Sequence, residues 1–117
     1  MTREEKVFGV FYRDYAHEIA ISSAHPESLL ATRIPALAER LLVDRDNFLG
    51  IVDRNDAVLQ LYQQDDGTVA VELLRSGRGD FLRGSAPLAE VLALLADLPP
   101  VFVDDLVPNG RRIGGPD

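Results

Sequence analysis

The chain has 117 residues, no cysteine, and 19 acidic against 12 basic side chains, a formal charge of −7. That length gives one domain with an ordinary buried core, and the lack of cysteine excludes disulfides and thiolate metal sites. The acidic balance disfavours non-specific nucleic-acid binding, which needs a cationic surface to release phosphate counterions.

The N-terminus, Met1 to Lys6, is charged, and the apolar run after it is too short for a secretory leader. No window approaches the roughly 18–20 apolar residues of a membrane span. A cytoplasmic bacterial protein is the expectation, with no membrane and no nucleic acid among its partners.

Val7–Tyr12 and Glu18–Ser22 read as two strands around a turn at Arg13-Asp14-Tyr15-Ala16. The first is apolar on both faces, as a central strand would be. A helix is expected next, with Pro26 at its first position and Glu27 at the positive end of its dipole. Leu30, Ile34, Leu37 and Leu41 recur at spacings of four, three and four, a helical stripe. Pro35 interrupts it because proline cannot donate to the carbonyl of Ala31. The segment is one kinked helix or two short ones, and the stripe running in phase favours the kink.

From Asn47 to Arg83 the chain reads as an antiparallel meander of Phe48–Asp53, Ala57–Gln64, Thr68–Arg75 and Asp80–Arg83. Asp65-Asp66-Gly67 is its clearest turn, with Gly67 placed for positive φ. Arg54-Asn55-Asp56 is a second turn and Ser76-Gly77-Arg78-Gly79 a looser loop. Ser85 then stands as the cap of a second helix whose buried face is Leu88, Val91, Leu92, Leu95 and Leu98, stopped by Pro99-Pro100. Val101-Phe102-Val103 reads as a short strand or an arm on the body. From Pro108 on there is too little apolar surface to offset the entropy of ordering. The expected division is a domain over residues 1–107 and a mobile tail over 108–117.

The chemistry-bearing residues are few. His17 and His25 lack any recognised metal-ligand spacing. Asp44-Arg45-Asp46-Asn47 lacks the glycine and the final glutamate of a calcium loop. Asp44, Asp46, Asp53 and Asp56 read as turn formers and helix stops. The glycine-rich Ser76 to Asp80 joins two strands, whereas a phosphate cradle opens a helix. Arg75, Arg78 and Arg83 read as solvated arginines on a sheet edge. No catalytic residue, cofactor or metal is expected.

The end of the chain carries Pro87-Leu88-Ala89-Glu90 and, further on, Pro99-Pro100-Val101-Phe102-Val103. With the order of elements before it, this ending resembles the small bacterial immunity proteins encoded beside polymorphic toxins. The family's terminal tryptophan, and its glycine before the late proline, are missing here. The resemblance implies a non-enzymatic module that neutralises a toxin by occlusion.

The expected fold is α+β, a mainly antiparallel sheet of five to six strands packed against two helices. The expected function is protein binding, with a basic partner steered by the negative field. Candidate contact residues are Asp65 and Asp66 at the hairpin tip, and Asp104 and Asp105 on the arm. The alternatives are a small-molecule or catalytic domain with a helix–sheet pocket, using Tyr12, His17 and Tyr62 as polar groups, or a homodimeric accessory protein.

Overall fold

A computed structural model describes residues 6–114. The elements are β1 (Val7–Asp14), β2 (Ile19–Ile21), β3 (Glu27–Leu30), α1 (Ile34–Leu41), β4 (Phe48–Val52), β5 (Val58–Gln63), β6 (Val69–Leu74), β7 (Asp80–Ala86), α2 (Leu88–Leu95) and β8 (Arg111–Gly114). The fold is α+β, with one sheet in the order β2-β1-β4-β5-β6-β7-β8 and β3 also paired to β1. Every pairing is antiparallel. Among the described residues the sheet thus has 8 strands where the sequence predicts five to six.

The extra strands are β3 and β8, and each corrects an expectation. Glu27–Leu30 does not open a helix at Pro26; it pairs with Val7–Val10. Pro35 cannot donate to the Ala31 carbonyl, so an α-helix through it loses a bond. The residues before it gain theirs on β1 instead, and a 3-10 turn at Ala31–Arg33 leads into α1 with Pro35 in its first turn. There is no kinked helix. Arg111–Gly114, expected in a free tail, runs along β7 with Arg111 opposite Arg83 and Ile113 opposite Phe81. Backbone pairing and an ion pair between Arg112 and Asp80 at 2.6 Å hold it, so its scarcity of apolar side chains is no obstacle. The rest of that tail, residues 115–117, lies outside the described residues.

The meander has the predicted hairpins. Gly67 has φ +86° at the β5–β6 turn, where a side chain would meet steric penalty. Ser85, expected as a helix cap, belongs to β7; Pro87 holds the N-cap position of α2, with Glu90 in its first turn.

Strand alternation divides the sheet into two faces. One row across it is Val10, Ile51, Leu59, Leu73 and Leu82; the next is Tyr12, Leu49, Leu61 and Val71. These side chains, with Ile34, Ala38 and Leu41 of α1 and Val91 and Leu95 of α2, form the core. Both helices therefore cover this face. After α2 the chain crosses one end of the sheet as an arm, with Phe102 stacked on Phe8 at a centroid separation of 5.6 Å.

Candidate functional site

The other face of the sheet is built from the alternate residues. Counted across β1, β4, β5, β6, β7 and β8, one row is Gly9, Val52, Val58, Leu74, Phe81 and Ile113. The next row is Phe11, Gly50, Gln60, Glu72, Arg83 and Arg111, and a third begins Arg13, Phe48, Tyr62. None of the apolar side chains in these rows belongs to the core cluster. Val52, Val58, Leu74, Phe81 and Ile113 are half-buried, shielded only by their neighbours on the strands.

Phe11, Phe48, Tyr62 and Phe81 place half of the chain's five phenylalanines and three tyrosines here. Phe11 and Phe48 meet edge to face at 6.4 Å. The Phe11 ring lies flat over Gly50, where a β-carbon would overlap it. The absence of a side chain at Gly50 is what lets the ring bury itself on a sheet surface.

The polar centre of this face is a triad. Glu72, 7% exposed, accepts the Tyr62 hydroxyl at 3.0 Å and the Arg83 Nε at 2.8 Å. Burial and the Glu72 carboxylate both push the Tyr62 phenol up from its ordinary value, so it stays a neutral donor. The Arg83 guanidinium also lies 5.3 Å from the Phe81 ring centroid, and Arg13 lies 4.7 Å from that of Tyr15. Arg13, Arg83 and Arg111 are exposed. The strand residues of this face carry three arginines, Arg13, Arg83 and Arg111, against one carboxylate, Glu72.

The sequence-derived candidates are dispersed. Asp65 pairs with Arg45 at 2.9 Å, and Asp66 takes the Thr68 hydroxyl and N–H, which hold its carboxyl below the usual range. Asp104 pairs with Arg75 at 2.8 Å, and Asp105 is exposed beside it. The two acidic pairs stand at opposite ends of β6, a strand about 20 Å long, so they form no common patch. Arg75, Arg78 and Arg83 form none either, each being paired to its own carboxylate.

Tyr12 and Tyr62 are on opposite faces and cannot serve one pocket. Tyr12 lines a cleft beside α1, and His17 borders a neighbouring depression that shares Arg40 with it. His17 Nδ1 is 2.9 Å from Asp14 Oδ2, and Arg40 Nε is 3.3 Å from the same oxygen. Burial pushes the Asp14 carboxyl up, but the His17 hydrogen bonds and the charges of His17 and Arg40 outweigh it and hold the group below its ordinary value. Asp14 ties the β1–β2 turn to α1, and Asn47 adds to this by accepting the Tyr15 N–H and donating to the Leu41 carbonyl. Among the described residues no group of three or more His, Cys, Asp or Glu side chains gathers to hold a metal ion.

An exposed sheet face or loop is the contact surface expected from the sequence, but its residues are not singled out there, because register decides which side chains share a face. The available signal was apolar character on both faces of successive strands, visible in Val7–Tyr12, Val58–Tyr62 and Val69–Leu74. Comparison with protein-family models, curated proteins and solved structures returns no match. Among the described residues no helix is long and apolar enough to cross a membrane.

Proposed function

We propose that this protein is a non-enzymatic binding module that covers a partner protein with the open face of its sheet. The likeness of its C-terminal third to immunity proteins suggests the partner class: a toxin, occluded in the bacterial cytoplasm. The observation that carries the reading is the stacking of Arg83 on Phe81 on a sheet face that neither helix covers, with Arg13 over the Tyr15 ring at the adjoining β1–β2 turn. Tyrosine and arginine dominate the energetics of protein interfaces, and both work best when already immobilised. Here Arg83 is held by Glu72 and Tyr62 by the same carboxylate, so docking costs little further side-chain entropy.

The partner surface that fits presents carboxylates opposite Arg13 and Arg111 and an apolar strip opposite the row of Phe81. A second copy of this chain fits worse, since stacking the two faces sets arginine against arginine. The net charge of −7 steers towards partners that are basic elsewhere on their surface.

The test is co-expression with the product of the neighbouring gene, followed by purification through a tag on this chain. The expected result is co-purification that is lost with Phe81→Ser and retained with Glu39→Lys on α1. Purification of the chain as a homodimer, or tighter binding to single-stranded oligonucleotide than to any protein, would overturn the reading.

A further inference from the structure

The core side of the sheet has a feature the docking face does not use. β1, β3 and α1 part to leave a cleft of ≈ 550 Å³, within the size range of small-molecule sites. Its origin is in the helix. Ile34, Ala38 and Leu41 turn into the core, while Arg33, Leu37 and Arg40 follow at spacings of four and three along the flank that overlooks β1 and β3. On β3, Leu29 stands opposite Phe8 and Glu27 opposite Val10, so both side chains face the helix.

The result is an apolar floor of Val10, Leu29 and Leu37 with a charged rim. Leu29 and Leu37 are only half-buried against the core. Arg33 and Arg40 form one side of the rim and Glu27 the other. Arg40 is anchored through its Nε on Asp14 at 3.3 Å, which leaves its two Nη groups for another acceptor. Among the described residues, no carboxylate lies within ion-pair distance of Arg33.

We propose that this cleft binds a small amphipathic monocarboxylate, with its charged end on Arg33 and Arg40 and its apolar body on Val10, Leu29 and Leu37. Two guanidinium groups offer a carboxylate paired donors. Glu27 across the rim repels a second negative group, which selects a monoanion. The proposal is independent of the protein-binding reading, because the cleft and the docking face lie on opposite sides of the sheet.

The experiment titrates the intact protein with octanoate, octanol and the eight-carbon dicarboxylate suberate, reading backbone amide shifts and thermal denaturation. Octanoate is expected to saturate, to shift the amides of Leu29, Arg33 and Leu37, and to raise the melting temperature as a ligand of the folded state does. Octanol and suberate should bind at least tenfold more weakly. Arg33→Gln should weaken octanoate at least tenfold with the fold intact, and Glu27→Gln should narrow the gap between suberate and octanoate. Absence of saturable binding at millimolar octanoate would overturn the proposal. So would shifts confined to Val58 and Phe81, or equal affinity for octanol. An Arg33→Gln affinity equal to wild type would show that the arginine stems merely cover the floor.

Discussion

The carboxylate of Asp53 accepts the backbone N–H of Phe102 at 2.7 Å, across a sequence separation of 49 residues. Its other oxygen accepts the N–H groups of Asn55 and Ala57, so one buried side chain closes the β4–β5 turn and fastens the arm. Lys6 donates to the Leu98 carbonyl at 3.0 Å, and Arg75 reaches the Phe102 carbonyl at 3.4 Å. Arg54 N–H also donates to the Pro100 carbonyl and Arg75 pairs with Asp104, so the arm is tied to the body on both sides of the Phe102 ring.

Breaking that fastening should cost stability in a graded way. Phe102→Ala removes a buried ring and is expected to cost about 3–5 kcal/mol. Asp53→Asn turns an amide donor towards the Phe102 N–H or the turn and should cost about 1–3 kcal/mol. Urea denaturation gives both values. An Asp53→Asn protein as stable as wild type would mean that the Asp53 carboxylate does not fasten the arm.

Gly50→Ala tests the Phe11 ring over the open face. The added methyl overlaps the ring, and overpacking of this kind costs about 1–3 kcal/mol. Combining it with Phe11→Ala should add less than the sum of the two single effects, because the clash disappears with the ring. Full additivity in denaturation would place the ring elsewhere.

Asp80 should confer a pH dependence at the acid end. Hydrogen bonds from Arg78 and Arg112 push its carboxyl down to about 2 from 3.8. A depressed folded-state value means the stabilisation is complete above pH 3.8 and is lost as pH falls through about 2. Asp14 and Asp66 are also lowered, so the comparison that isolates Asp80 is Asp80→Asn. That variant should show a shallower loss of stability over this window, with little change in slope above pH 5. An identical acid slope would contradict the bridging role of Asp80 between β7 and β8.

Removing Arg111–Asp117 deletes β8 and exposes the β7 edge. A loss of about 1 kcal/mol would lower the melting temperature by about 4 °C for a domain of this size, and the Asp80 carboxyl should move back towards 3.8 as Arg112 is lost. An unchanged melting temperature would mean that β8 contributes nothing to the fold in solution.

Local signals carried most of the architecture. The alternation in Val69, Val71 and Leu73 and the Asp65-Asp66-Gly67 turn define the meander without any partner. They also place Tyr62 on one face and Leu61 on the other. What was not legible depends on distant pairing. Glu27–Leu30 has a proline before it and leucines behind it, a helical start by composition, and only the edge of β1 makes it a strand. Arg111–Gly114 is polar and glycine-bearing, and becomes ordered through Asp80 and the β7 backbone. Asp53 was readable as a turn former from Asn55 and Ala57, but its bond to Phe102 was not. The open face was legible only after register was known, since Arg83 and Tyr62 converge on Glu72 from two different neighbouring strands.

The measurement that bears most directly on the proposed binding face is a calorimetric titration of a partner recovered by co-expression with three forms of this chain. These are the wild type, the sheet-face variant Phe81→Ala with Arg111→Glu, and the helix-side variant Glu39→Lys with Glu90→Lys. The sheet-face variant loses an aromatic anchor and reverses an exposed charge, and should bind at least tenfold more weakly, a difference of about 1.4 kcal/mol. The helix-side variant should bind within about threefold of wild type once salt screens the altered field. Retention of affinity by the sheet-face variant, with loss in the helix-side variant, would contradict the account.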